Sequence, residues 1–240
     1  MAPIRKGDGT PLEIPGVSEV RSGDGRVFFE GDAIPDSAIA QFDARQISAS
    51  DGDTLSTWPE SLSSDNWDAT ASGNPTYVES AINGNPAVSF GGDEDYFDSP
   101  ANASGDYVVF VVADSINLTQ NNTIISNNSS LNGQIWFSNG SGDWRIFNGN
   151  TNITGTGDAT NIFTAHFTTD ASDDTLRQDQ SQTGSGDAGS GTLDDLRIGA
   201  NGETPGNLTD GNIGYIEIHE APVSNGLTTR EQEIATDWGY

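Results

Sequence analysis

The apolar residues of this chain come in short, dense runs separated by turns of Gly, Asn, Asp and Ser. The segment Tyr107-Val108-Val109-Phe110-Val111-Val112 is apolar at every position, as expected of a central strand covered on both faces. Ile213 to Ile218 alternates in part: Ile216 and Ile218 share one face, Glu217 and His219 the other. From Ala38 onward the same grammar predicts strands near 39–43, 54–58, 76–79, 86–90, 94–98, 106–113, 122–126, 133–138, 143–148, 161–169, 174–179, 195–200 and 212–220. Strands this short and this evenly spaced predict an all-β chain, a two-sheet antiparallel jelly-roll sandwich. The carboxyl end differs. Thr228-Thr229-Arg230-Glu231 reads as a capping box, Ile234 and Trp238 are four apart, and Gly239 follows, so a short C-terminal helix is predicted there.

The first 37 residues form a separate region. Ile4-Arg5-Lys6-Gly7-Asp8-Gly9 recurs as Val20-Arg21-Ser22-Gly23-Asp24-Gly25, each copy a short strand entering a Gly-Asp-Gly turn. Thr10-Pro11-Leu12 and Arg26-Val27-Phe28-Phe29 are the return strands, with Pro11 suited to an edge. A twin hairpin of this size buries no core of its own, so it must lie on the main domain, a sister subunit or a larger assembly. The division expected is residues 1–37 as an N-terminal β-hairpin arm with its linker, and 38–240 as the sandwich.

Charge then narrows the setting. Among 240 residues there are 36 acidic side chains against 9 Lys plus Arg, a formal net charge of -27, and no cysteine. Disulfides and cysteine-metal sites are excluded. So is a basic nucleic-acid groove, which needs clustered Lys and Arg. No apolar run approaches the length of about 18 residues that marks a membrane span. Acidity spread along the whole chain, with Lys6 the single lysine, reads as a halophile surface, where concentrated salt screens carboxylate repulsion; an acidic protein from an ordinary source is the alternative. Arg5, Lys6, Arg21 and Arg26 fall in the arm, which suggests docking onto an acidic partner; a hairpin packed on its own domain is the alternative. Met1 to Lys6 runs straight into Gly7-Asp8-Gly9 without an apolar leader, so synthesis in the cytoplasm is expected. The Asn-x-Ser/Thr sequons, Asn102 and Asn117 among them, are then a by-product of composition.

Several stretches resemble a concanavalin A-like lectin/glucanase domain of the laminin-G-like type. They are Ala40-Gln41-Phe42-Asp43-Ala44-Arg45 with Asp51-Gly52-Asp53 and Ser56-Thr57-Trp58-Pro59, then Asn83 to Tyr96, then Leu196-Arg197-Ile198-Gly199-Ala200 with Gly211 to Ile218, and the closing Leu227 to Tyr240. The resemblance spans roughly residues 38–240 and rests on the order of the segments. It implies a two-sheet jelly roll and, often, carbohydrate or surface binding. The start Pro3-Ile4-Arg5-Lys6-Gly7-Asp8-Gly9-Thr10-Pro11-Leu12 on such an acidic domain is similar to virion proteins of tailed viruses that infect haloarchaea. That resemblance implies a structural protein on the virion surface, a capsid turret, spike or tail fibre. It would be held to other virion proteins by the arm, form a homo-oligomer, and attach to or decorate a host glycan or glycoprotein. The alternatives are a cellular haloarchaeal carbohydrate-binding module and a divergent glycoside hydrolase.

The residues speak against hydrolysis. A retaining glycosidase needs two carboxylates about 5–5.5 Å apart, and the glucanase pattern Glu-x-Asp-x-x-Glu finds here only Glu217-Ile218-His219-Glu220, with Glu220 on the opposite face and Ala221 after it. His166 and His219 are the only histidines and no Gly-x-Ser-x-Gly elbow accompanies them, so His166 reads as a structural strand residue. Gly184 to Gly191 lacks the lysine of a phosphate loop and reads as a flexible loop. Asp93-Glu94-Asp95 sits in a turn, and Asp93 with Asp95 is the candidate Ca²⁺ site. For sugar binding, the hairpin Gln134 to Ile146 offers Trp136, Asn139, Asp143 and Trp144, aromatic rings beside a short polar turn.

Overall fold

A computed structural model describes residues 20–21, 27–28, 38–62, 66–137, 143–157, 161–169, 173–202, 205–221 and 226–240. The chain divides into two compact units, Met1–Pro35 and Asp36–Tyr240. In the first, β1 (Val20–Arg21) and β2 (Val27–Phe28) pair antiparallel, Val20 opposite Phe28 and Arg21 opposite Val27. The earlier copy of the repeat, with Arg5 and Lys6, lies outside the described residues, as do Arg26 and the side chain of Arg21.

The second unit runs β3 (Ala38–Asp43), a 3-10 turn over Ala44–Gln46, β4 (Thr57–Trp58), β5 (Ala69–Ser72), β6 (Thr76–Ile82), β7 (Asn85–Gly91), β8 (Tyr96–Asp98), β9 (Tyr107–Asp114) and β10 (Asn122–Asn127). It continues through β11 (Gln134–Phe137), β12 (Asp143–Phe147), β13 (Ile153–Thr156), β14 (Asn161–Phe167), β15 (Asp174–Gln178), β16 (Ser181–Gly186), β17 (Leu196–Ile198) and β18 (Asp210–Glu220) to one helix, α1 (Leu227–Trp238). The strands build two antiparallel sheets. One has the order β13-β12-β11-β10-β17-β8-β5-β4; the other is β16-β15-β14-β9-β18-β7-β6, with β3 also paired to β18. The two-sheet sandwich with a C-terminal helix is what the hydrophobic pattern predicts.

The continuous apolar run of β9 has a specific cause. Val109, Val111 and Ala113 point into the core between the sheets, while Val108, Phe110 and Val112 point the other way, onto α1. The second sheet is therefore covered twice. Between the sheets, Trp58 meets Phe42 and Phe97 edge-on, with centroids 6.2 and 5.8 Å apart. Under the helix, Ile234, Ala235 and Trp238 pack on Ile82, Ala87 and Tyr215. Trp238 reaches the sheet because Gly214 lies beneath it; a Cβ there would sit 2.5 Å from the indole ring.

Two sequence readings are corrected. The helix starts from Gly226 at φ 83°, with no side-chain cap. Glu231, read as the reciprocal partner in a capping box, instead accepts from Arg177 Nε at 2.8 Å and Nη2 at 3.0 Å. An ion pair that ties the helix to β15 has taken the carboxylate that local capping would have used. The glycine-rich stretch is also not simply a loop, since Gly184 and Gly186 lie in β16 on Leu176 and Asp174 of β15. Among the described residues no helix is long and apolar enough to cross a membrane.

Candidate functional site

Glu217 is the residue the glucanase pattern singles out, and β18 turns it towards α1 with Tyr215 and His219. It is 0% exposed. Arg230 grips it with both arms of its fork, Nε to Oε1 at 2.9 Å and Nη2 to Oε2 at 2.6 Å. His219 Nε2 and the Tyr215 hydroxyl bond to the same carboxylate, and Gln41 Nε2 donates to it at 3.2 Å and to the Tyr215 oxygen at 2.7 Å. Burial pushes the carboxyl pKa up, but the hydrogen bonds from His219 and Arg230 and the Arg230 charge outweigh it and hold Glu217 at about 2. Burial likewise keeps Tyr215 well above its ordinary value, so it stays a neutral phenol that donates. Sealed beneath the helix, this cluster fastens α1 to the sheet and offers no surface to a substrate.

The predicted sugar-binding residues separate. The register sets Trp136 opposite Arg145 and Phe137 opposite Trp144. Trp144 is thereby turned inward, 1% exposed, with its ring against Phe163. Its expected place as a stacking surface is corrected: both its faces belong to the core. Trp136 and Asp143 are half-buried on the outer face of the first sheet. Asn139 lies outside the described residues. On that outer face the Arg145 guanidinium stands 5.1 Å over the Trp136 ring.

The turn at Asp93 and Asp95 is held by backbone amides, one from the turn's own start and one from the turn before β6. Asp95 is 8% exposed and accepts from Asn74 N at 2.6 Å and Gly91 N at 3.0 Å, while Asp93 is exposed. Asp95 thus spends both oxygens on amides. Among the described residues no three His, Asp or Glu side chains converge as a metal site.

A cleft that the sequence did not reveal lies at one end of the sandwich. The turn before β11, the turn after β12 and the loop after β16 meet there, and with Thr169 they line an open cleft of about 490 Å³. Its polar side chains are Asn132, Asn148, Asn150, Thr169, Asp187 and Ser190. Asn148, 1% exposed, is the organiser. Its Oδ1 accepts from Gly133 N at 3.0 Å, and its Nδ2 donates to Gly191 O at 2.8 Å and Gly189 O at 3.3 Å. The backbones join as well: Asn148 N and Asn150 N both donate to Ala188 O, and Gly191 N donates to Asn148 O. Asp174 anchors the loop from the other side by accepting from Ala188 N at 2.7 Å. Gly189, at φ +113°, lies so close to the Asn148 carbonyl that a side chain would not fit. On this fixed floor stand Asn150 and Asp187, Nδ2 to Oδ2 at 2.6 Å. Amides that both donate and accept, beside a carboxylate, match the hydroxyls of a sugar, and the volume falls in the usual range of about 300–1,000 Å³ for ligand pockets. A second cleft of about 380 Å³, lined by Ile47–Ala49, Asp53–Thr57 and Pro59, lacks such a cluster of side-chain amides.

No family model matches the chain, and no curated protein matches it in sequence. Solved structures do match in shape. Domain 4 of AbnA, a GH43 extracellular arabinanase from Geobacillus stearothermophilus, in complex with arabinotriose, gives a TM-score of 0.58 at 16% identity, covering 84% of this chain and 100% of that one. The binding domain of botulinum neurotoxin DC in complex with SialylT gives 0.54 at 12% identity, and the botulinum neurotoxin type G receptor binding domain 0.51 at 15%. Those likenesses establish the fold. They cover 86% and 82% of this chain, but the chain spans only 51% of each toxin domain.

Proposed function

We propose that this chain is a lectin-like carbohydrate-binding domain that seats a glycan in the polar cleft at the end of the sandwich. The preorganised floor carries the reading: Asn148 and Asp174 spend their hydrogen bonds on holding the loops, which leaves Asn132, Asn150, Asp187 and Ser190 at the mouth. Two proteins of similar shape, solved with arabinotriose and with SialylT, support it. Binding is favoured over hydrolysis because Glu217, the carboxylate nearest the glucanase pattern, is sealed by Arg230. On a glycan array in high salt the full chain is expected to retain a defined set of oligosaccharides. Asp187→Ala, with near-UV circular dichroism unchanged, is expected to weaken them about 10–100-fold, the loss of a hydrogen bond to a charged group of about 1.5–3 kcal/mol. An array without ligands sinks the lectin reading and leaves a structural role.

We further read the setting as the surface of a virion of a halophilic archaeal virus, in host attachment or decoration. The support is the charge of -27, the clustering of Arg5, Lys6, Arg21 and Arg26, and the resemblance of residues 3–12. In this reading the arm joins the domain to other virion proteins, and the edge strands and the arm assemble a symmetric homo-oligomer. Deleting residues 1–37 is expected to abolish incorporation into particles while leaving glycan binding intact. Incorporation at the wild-type level overturns the anchoring role.

A further inference from the structure

The arginines of the second unit are Arg45, Arg145, Arg177, Arg197 and Arg230. Four of them hold a carboxylate: Arg45 with Asp43 at 2.7 Å, Arg177 with Glu231 at 2.8 Å, Arg197 with Asp98 at 2.7 Å and Arg230 with Glu217 at 2.6 Å. Arg145 is different. Among the described residues its side chain has neither an ion pair nor a hydrogen bond, although the chain carries 36 acidic residues against 9 basic ones. Asp143, two residues away on the same strand face, does not reach it.

The free cation is also held in place. Arg145 and Trp136 are cross-strand neighbours, and the guanidinium carbon lies 5.1 Å over the ring, a cation–π contact that positions the charge. Beside each other are two buried N–H donors without an acceptor, Arg145 Nε and Trp136 Nε1. Neither group can accept a hydrogen bond. Two donors without a partner and one positive charge, which the Asp143 carboxylate on the same face does not engage, are complementary to an anion.

We infer that Arg145, stacked on Trp136, is the subsite for an acidic substituent of the bound glycan, a ring carboxylate or a sulfate. The inference rests on the proposed glycan reading and deepens it. Arg145 lies three residues before Asn148 on the strand that leads into the cleft, about 10 Å along at the rise of an extended strand. An oligosaccharide seated at Asn150 and Asp187 reaches it by running over the rim of the cleft onto the outer face of the first sheet. The surrounding negative charge makes the requirement strict. At low salt an acidic glycan is repelled by the surface as a whole, and in concentrated salt, where screening reaches only about 3 Å at 1 M, only a contact cation attracts it.

Four probes test this against wild type, Arg145→Gln, Arg145→Lys and Asp187→Ala at fixed salt. They are a hyaluronan hexasaccharide (carboxylate only), its carboxyl-reduced form, a carrageenan hexasaccharide (sulfate only) and its desulfated form. The expected result is that at least one acidic probe binds wild type about tenfold or more tightly than its neutral form. Arg145→Gln abolishes that preference, leaves the neutral form's affinity and the melting temperature unchanged, and Arg145→Lys restores it in part. Whichever acidic probe depends on Arg145 names the anion. If the neutral forms bind and are lost in Asp187→Ala, but Arg145→Gln leaves the acidic-to-neutral ratio unchanged, this inference falls and the cleft reading stands. If no probe binds and the array is also empty, both fall.

Discussion

Replacing Arg230 with methionine is expected to lower stability by about 3–5 kcal/mol, because it leaves a buried carboxylate without its cation. Glu217 is 0% exposed, and Arg230 supplies two of its hydrogen bonds and the main opposing charge. The loss should appear as a lower urea midpoint at constant slope. Removing the carboxylate as well, in Arg230→Met with Glu217→Leu, should recover most of it, since a well-packed apolar pair replaces a buried ion pair at little cost. A double variant as unstable as the single one would show that the damage lies in packing around Tyr215 and Trp238.

Acid provides the companion readout. Glu217 is held at about 2 in the folded protein, below its ordinary 4.5, so its contribution is fully present above pH 4.5 and is lost as the pH falls towards 2. In Arg230→Met the Arg230 share of that depression is removed while the His219 hydrogen bond remains, and the urea midpoint should lose part of that acid-side decline. An unchanged pH profile between 2 and 6 would contradict the assignment of the carboxylate to Arg230.

Trp144→Ala is expected to damage the fold. The ring is 1% exposed and packed on Phe163, so truncation should cost about 3–5 kcal/mol. At about 2–4 °C per kcal/mol for a chain of this size, the melting temperature should fall by roughly 6–20 °C. Glycan affinity, measured well below that temperature, should hold. Trp136→Ala should do the reverse, with a small change in melting temperature and a loss of preference for acidic glycans through Arg145. Equal thermal effects of the two substitutions would contradict the inward and outward assignment.

That pair shows where sequence reasoning stops. Two tryptophans flank one polar turn, and whether both face out depends on hairpin register. Phe137 rather than Trp136 pairs with Trp144, and one residue of register separates core from surface. What was legible had a strong period or a strong run: β9, β18 with Glu217 opposed to Ile216, and the helix face of Ile234 and Trp238. What was missed lacks apolar content. β5 is Ala-Thr-Ala-Ser, β13 is Ile-Thr-Gly-Thr and β16 is Ser-Gln-Thr-Gly-Ser-Gly, so composition reads them as loop while ladder bonds hold them as strands. The capping box failed because a distant arginine competed for Glu231. The cleft was hidden for a related reason. Asn132, Asn148 to Asn150 and Asp187 to Gly191 converge only once both sheets are formed, and an Asn-Gly-Asn turn and a glycine run are each ordinary alone.

The central claim is that this cleft takes a sugar. Titrating an oligosaccharide selected on the array into the isotopically labelled chain tests it most directly. Amide shifts are predicted to concentrate at Asn132, Asn148 to Asn150 and Asp187 to Gly191, and to need about 10–100-fold more ligand with Asp187→Ala. Shifts confined to the cleft of Ile47 to Pro59, or spread without focus across the sheets, would contradict it.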